Sequence, residues 1–136
     1  MVKCVILIDQ SLPLGLIANT ASVLSLSLGN KISGLIGHDI EDIQGRIHIG
    51  ITTIPIPILK CSKTELKNLR ETLFDERFKT CLVVDFTNAA QSTKTYDDYS
   101  KAMGKMAIDA LEYLGIAIYG SKKLINKLTG SIGLLR

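Results

Sequence analysis

Residues 4–8 are apolar without interruption and stop at an acid: Cys4-Val5-Ile6-Leu7-Ile8, then Asp9. A strand with this pattern is buried on both of its faces, as in a sheet that has helices on each side. Residues 81–86 and 116–119 have the same character, and helical segments separate the three runs. Strands that alternate with helices in this way predict a three-layer α/β/α sandwich with a mostly parallel mixed sheet.

Caps and helical spacing indicate where the helices lie. A turn at residues 11–15 precedes a first helix that we expect to end at Gly29-Asn30. Ser62 and Glu65 form a capping box for a second helix. Thr95 can cap a long helix to about residue 114, with a buried stripe of Tyr99, Met103, Met106, Ala110 and Tyr113. Residues 121–128 predict a short helix, and residues 132–135 predict a last strand.

The segment at about residues 33–53 is rich in Gly and Ile. Gln44-Gly45 predicts a hairpin turn between residues 39–43 and 46–51. Pro55 and Pro57 then remove consecutive amide donors from one side of the chain, so this part should lie at a sheet edge or be only partly paired. We therefore expect a single domain, residues 1–136, with a hairpin-like insertion at about 33–53.

Composition is that of a folded globular chain, with 46% hydrophobic and 21% charged residues among 136. The net charge of +3 comes from scattered basic residues, which gives only weak support to RNA as a partner. Residues 10–30 carry no charge, but Pro13, Gly15 and several polar side chains argue against a membrane segment. Three cysteines without a C-x-x-C pair indicate reduced thiols, and we expect a cytoplasmic protein.

Two stretches of the chain resemble type II peptidyl-tRNA hydrolases. The opening strand with Leu12 and Gly15-Leu16-Ile17-Ala18 is similar to that family's first strand and helix. The chain's end, Leu124-Ile125-Asn126-Lys127-Leu128-Thr129-Gly130-Ser131-Ile132-Gly133-Leu134-Leu135, is similar to its closing helix, turn and strand. The resemblance covers about a third of the chain and implies that family's fold.

Over its full length the chain resembles a mainly bacterial family, the domain of unknown function numbered two thousand. The stretches that carry this resemblance are Leu12-Pro13-Leu14-Gly15, Ile54-Pro55-Ile56-Pro57-Ile58-Leu59, Val84-Asp85-Phe86-Thr87, Ala90-Gln91-Ser92-Thr93 and Leu114-Gly115-Ile116-Ala117-Ile118-Tyr119-Gly120. That family is thought to share the hydrolase fold. The resemblance thus implies a fold and no activity.

The chain departs from the hydrolases where their catalytic residues stand. Ser11 replaces their acid, and their Lys, Gln and His positions become Leu16, Thr20 and Val23, or Asn19 for the Gln after a shift of one residue. Apolar side chains neither transfer protons nor orient water, so the usual hydrolytic site is absent. Lys3, Lys127 and Thr129 remain from the family pattern.

Polar side chains follow two of the apolar strands. In parallel α/β sheets ligands bind beyond the carboxyl ends of the strands, so Asp9 and Asp85 are candidates for one shared site. Each aspartate can instead simply cap a turn or helix. The ligand-binding candidates are Asp9, Asn19, Thr20, Asp85, Thr87, Gln91, Thr95, Tyr96, Lys127 and Thr129.

Two further clusters are weaker candidates. His38, Asp39, Glu41, Asp42 and His48 match no metal-binding pattern, and we expect neither a metal nor a cofactor. Gly120-Ser121-Lys122-Lys123 opens a helix after a strand but lacks the glycine spacing of a phosphate loop.

Three functions remain open from the sequence. The favoured one is a domain that binds a small molecule or a macromolecule without catalysis. The second is a hydrolase with a rebuilt site using Asp9, Asp85 and Lys127, acting on an RNA-linked ester. The third is a structural homodimer, because the uncharged helix at residues 16–28 is hard to cover within one short chain.

Overall fold

A computed structural model describes residues 1–136 as a mixed α/β fold with one four-stranded sheet, one small hairpin and five helices. The elements follow the order β1 (Val2–Asp9), α1 (Leu14–Lys31), β2 (Ile40–Glu41), β3 (Ile47–His48), β4 (Ile58–Cys61), α2 (Lys63–Leu73), β5 (Leu82–Thr87), α3 (Asn88–Gln91), α4 (Tyr96–Lys105), β6 (Tyr113–Ser121) and α5 (Lys122–Thr129). Short 3₁₀ turns lie at Glu76–Phe78 and Ile108–Ala110.

The sheet has the strand order β4-β1-β6-β5 and is mixed, as expected, but it is not mostly parallel in its pairing. β1 is parallel to β4, whereas β6 is antiparallel to both β1 and β5. The connection from β5 to β6 explains the difference, because it starts and ends at one edge of the sheet, where Thr87 pairs with Tyr113. A strand that leaves from the edge at which its predecessor arrived must run back antiparallel to it.

The predicted long helix to residue 114 is wrong. α4 ends at Lys105, and Met106 already has extended backbone angles. Tyr113 and Leu114 belong to β6, where they face opposite cores, as successive residues of a strand do. Apolar residues at 106–114 fit helical spacing by coincidence, and pairing with β5 decides the structure of the last two.

Three layers are observed. α1 covers one face of the sheet through Leu24 and Leu28. α2, α4 and α5 cover the other, and the fully buried Leu66 and Ile125 lie at its centre. Most of the uncharged residues 10–30 lie in α1. None of the helices combines the length and apolar character needed to cross a bilayer.

Close approach of α1 to the sheet depends on Gly115. A Cβ atom at this position would lie 2.7 Å from Cγ2 of Thr20 and 3.1 Å from the carbonyl oxygen of Leu7. The first distance is too short for a carbon–carbon contact and the second is tight, so a larger residue at position 115 would push α1 away from the sheet. Thr20 itself is fully buried, and its Oγ1 donates to the Leu16 carbonyl at 2.7 Å.

The segment that precedes β4 is only partly paired with the sheet, as Pro55 and Pro57 predict. Residues 54–57 are outside any strand, and the Pro57 carbonyl accepts a hydrogen bond from the Ile6 amide at 3.0 Å. The outer edge of β4 is closed by the chain's end, where Leu134 forms an antiparallel bridge with Leu59. The last strand predicted at residues 132–135 is therefore reduced to this single bridge.

Candidate binding site at the carboxyl edge of the sheet

Strands β1, β4 and β5 end at the same edge of the sheet, and a pocket of about 280 Å³ lies there. We call it the Asp9 pocket. Six of its nine lining residues are polar or charged, although most of the surface that faces the pocket is apolar. Its lining residues are Asp9, Leu12, Lys63, Asn88, Gln91, Ser92, Glu112, Tyr113 and Leu114.

Asp9 is the most unusual group in the pocket, because it is only 1% exposed and half of its carboxylate has no partner. Oδ1 accepts hydrogen bonds from the Ser11 amide at 2.9 Å and from the Ser11 hydroxyl at 2.7 Å. Oδ2 is buried and accepts none. Buried polar atoms nearly always have a partner, and an ionic one costs most when left alone. Asp9 lines the pocket, and its Oδ2 is a buried side-chain atom without a hydrogen-bond partner in the protein.

The local sequence fixes this side chain tightly. Asp9 is the last residue of β1 and pairs with Cys61 of β4. Its bonds to Ser11 form the side-chain turn typical of aspartate, and Pro13 then stands at the N-cap position of α1. The carboxylate is thus held between a paired strand and a closed turn, which leaves Oδ2 little freedom to find a partner within the chain.

Other polar groups of the pocket differ in their availability. Asn88 is fully engaged: its Nδ2 donates to the Ala110 carbonyl at 3.0 Å, and its Oδ1 accepts from the Glu112 amide at 3.1 Å. It therefore holds the loop before β6 in place. Lys63 and Glu112 form an exposed ion pair with 3.6 Å between Nζ and Oε2, and exposed Gln91 has a free amide. These three side chains can turn toward a ligand.

Cys61 lies beside Asp9 but is not a nucleophile. Burial raises the pKa of its thiol to about 11, and the charges of Glu65 and Asp9 add to the effect. The thiol is therefore protonated at neutral pH, whereas nucleophilic cysteines have a lowered pKa. The same holds for Cys4, whose pKa burial also raises to about 11.

Asp85 does not share the Asp9 pocket, contrary to our expectation. It stands two residues before the end of β5, and β6 separates that strand from β1. Asp85 lines a different pocket of about 350 Å³ together with Thr95 and Tyr96. Its Oδ2 accepts from Nε of Arg70 at 2.8 Å, so its charge is already matched.

The remaining candidates are dispersed. Asn19 is exposed on α1 and lines neither pocket, while Thr87 is buried and caps α3, accepting from the Ala90 amide at 3.4 Å. Thr129 is buried in α5, where its Oγ1 donates to the Ile125 carbonyl at 2.8 Å, and Lys127 is exposed on the same helix. Of the ten candidates, only Asp9 and Gln91 line the Asp9 pocket.

Sequence reasoning missed Lys63 and Glu112. Lys63 opens α2 directly after β4, so the rule that ligands bind beyond strand ends was sufficient to find it. Glu112 was missed because the sequence predicted a helix at residues 95–114. Its position at the pocket depends on β6 starting at Tyr113.

Asp42, an acidic residue of the hairpin, is bonded to two nearby basic side chains. Asp42 Oδ2 lies 2.8 Å from Nε2 of His48 and 3.1 Å from Nε of Arg46. Hydrogen bonds from His48 and from the Arg46 backbone lower the pKa of Asp42. Nowhere in the chain do three or more His, Cys, Asp or Glu side chains come together as a metal site would need.

Comparisons with known proteins identify relatives but no activity. The model of a family described as Protein of unknown function (DUF2000) matches residues 2–136, which confirms the resemblance seen in the sequence. Curated proteins give no match. A solved structure of a protein of unknown function, Atu0240 from Agrobacterium tumefaciens strain C58, is similar with a TM-score of 0.86 at 14% identity, over 98% of this chain and 96% of that one. At this identity the likeness shows the fold alone.

Proposed function

Since this chain belongs to the family described as Protein of unknown function (DUF2000), whose description assigns no activity, we propose a function from the pocket itself. The protein binds a small organic cation, a primary ammonium or guanidinium compound, in the Asp9 pocket. The unpartnered and buried Oδ2 of Asp9 carries this proposal.

Charge and shape favour a cation with a short apolar body. The pocket brings together two carboxylates, Asp9 and Glu112, and one ammonium, Lys63, so its side chains sum to about −1. An N–H donor on Oδ2 gains a charge-assisted hydrogen bond away from water. Leu12, Tyr113 and Leu114 provide apolar wall for a short alkyl group. A volume of about 280 Å³ limits the ligand to the small end of the usual range.

Binding without catalysis is favoured over a rebuilt hydrolase. The three residues that a rebuilt site was expected to use, Asp9, Asp85 and Lys127, line no common pocket. Cys61, the thiol beside Asp9, has its pKa raised by burial to about 11. The lining of the Asp9 pocket contains neither a cysteine nor a histidine, the side chains that most often serve as nucleophile or general base.

We expect butylammonium to bind the folded protein with a dissociation constant of about 1 mM, corresponding to about 4 kcal/mol. Titration followed by ¹⁵N chemical shifts checks this. Shifts should concentrate at residues 9–12, 61–63, 88–92 and 112–114, which surround the pocket. Butyrate and butanol, of the same chain length, are the matched controls for charge.

Equal binding of butyrate and butylammonium would remove the role of Asp9 as acceptor. Shifts confined to the hairpin or to the Asp85 pocket would place any cation site elsewhere. Either result rejects the proposal.

A further inference from the structure

The hairpin of β2 and β3 carries exposed apolar side chains that no other part of the chain covers. The alternate residues Ile47, Ile49 and Ile51 of its second half are 63%, 82% and 78% exposed. Alternation of this kind puts the three side chains on one face of an extended segment. We call residues 35–53 the arm.

Exposure of the arm is unfavourable in a single copy of the chain. β2 and β3 contact each other and no other helix or strand to a comparable extent. An isolated two-stranded hairpin is marginally stable in water, and a strand with one apolar face normally has a core against that face. The isoleucines of the arm thus require a covering surface.

A second uncovered surface lies on α1. Leu14, Ala18, Ser22 and Leu26 follow one another at intervals of four along the helix and are all exposed, the two leucines to 82% and 79%. No charged residue occurs from Gln10 to Asn30. Small and apolar side chains without charge make a face that a β-hairpin can approach closely.

We propose that a second copy of this chain covers both surfaces, with the arm of each copy packed on the outward face of α1 of the other. Arm and helix are two different patches on each chain, and a two-fold axis brings both pairs together at once, as in an isologous dimer. The inference concerns the opposite face of the sheet from α2 and does not depend on the Asp9 pocket.

The apolar area is sufficient for a stable dimer. Five of the fourteen large hydrophobic residues that are exposed lie on the two faces that would meet, Ile47, Ile49 and Ile51 on the arm and Leu14 and Leu26 on α1. Burying one such side chain removes about 60–120 Å² from water, so five give about 300–600 Å² of apolar area per copy. A standard interface uses about 800 Å² per partner, of which somewhat more than half is apolar.

Charge is compatible with this pairing. The arm's charged side chains are largely matched internally, since Asp42 binds Arg46 and His48, and Asp39 Oδ1 accepts from the Gly50 amide at 2.9 Å. The α1 face offers no charge that would be buried without a partner. Glu41 is the remaining acidic residue of the arm. In the proposed dimer it can pair with Lys31, which is exposed at the end of α1 of the second copy.

Light scattering after size exclusion at micromolar concentration tests the proposal. The unaltered chain should run as a dimer. Ile49→Glu and Leu26→Glu should each raise the dissociation constant more than about 30-fold, as expected for loss of a central contact residue. Ile108→Glu is the matched control, because Ile108 is 65% exposed but outside both surfaces, and this variant should remain dimeric.

Disulfide trapping tests the pairing of arm with helix. Mixing a Leu26→Cys chain with an Ile49→Cys chain should yield a linked dimer with one copy of each. Leu26, Ile49 and Ile108 are all exposed, so the variants at these three positions should fold, which circular dichroism checks. If the unaltered chain is a monomer, the proposal is wrong, and the partner of the arm would be a different protein. The proposal is also wrong if the dimer persists in either the Ile49→Glu or the Leu26→Glu variant.

Discussion

Replacing Asp9 with asparagine should raise the free energy of unfolding by about 1 kcal/mol while it weakens binding of butylammonium by at least about 30-fold. The asparagine oxygen can keep both bonds that Ser11 donates to Oδ1. What changes is the second position, where a buried acceptor with no partner becomes a neutral NH₂ group. An unpartnered neutral NH₂ group costs less to bury than an unpartnered carboxylate oxygen, so folding is favoured. Replacing the acceptor by a donor also removes the ligand's anchor.

A purely structural role for Asp9 predicts the opposite pattern. If the side chain only closes the turn at Ser11, asparagine gives weaker hydrogen bonds than a carboxylate, and stability should fall. Binding would not change. Chemical denaturation and the ¹⁵N titration therefore separate the two roles with one variant.

Asp97→Asn is the control for the charge change. Asp97 is exposed in the first turn of α4 and lies outside the Asp9 pocket, so stability should change by no more than about 0.5 kcal/mol. A loss of stability in Asp9→Asn with unchanged binding would contradict the proposed site.

Replacing Arg70 with alanine should destabilise the protein by about 2–4 kcal/mol, because it leaves the charge of Asp85 without its partner. Nε of Arg70 lies 2.8 Å from Oδ2 of Asp85, and the two side chains are only 12% and 18% exposed. The guanidinium also lies over the Phe74 ring, 3.8 Å from its centroid, and this contact is lost as well. Urea denaturation measures the effect.

The double variant Arg70→Ala with Asp85→Ala should recover part of this loss, with a coupling energy above about 1 kcal/mol. Lys79→Ala is the matched control: it removes the exposed pair of Lys79 with Glu76, 67% and 83% exposed, and should cost less than about 0.5 kcal/mol. Additive effects of the Arg70 and Asp85 changes would mean that the pair does not stabilise the fold.

Much of the central sheet could be predicted because burial on two faces leaves a strong pattern. The run of residues 4–8 has no polar interruption, and β1 does lie inside the sheet with neighbours on both sides. The capping box of Ser62 and Glu65 is observed with both of its hydrogen bonds, because it depends only on four consecutive residues. The hairpin turn at Gly45, with φ of 81°, is equally local.

Strand direction was not predictable from local pattern. β6 reads as an apolar run like β1, but apolar composition does not distinguish a parallel from an antiparallel neighbour. The direction of β6 is set by the connection from β5, which begins and ends at the same edge of the sheet. The end of α4 at Lys105 was obscured for a related reason, since residues 106–114 satisfy both a helical and an extended pattern.

The candidate site was predictable in part. The end of β1 identified Asp9, and the polar loop after β5 identified Gln91. The partner of Asp85 was not predictable, because Arg70 lies fifteen positions earlier on a different element and nothing local links them. Whether a buried carboxylate is matched or unmatched depends on long-range contacts, which only the fold reveals.

A crystal structure of the protein with the tightest-binding amine from the titration is the most direct test of the proposed site. We expect the amine nitrogen within about 2.7–3.2 Å of Oδ2 of Asp9, the range of a direct hydrogen bond. An Oδ2 that is instead bonded to a buried water or to a group of the chain, with the amine bound elsewhere, would contradict the account.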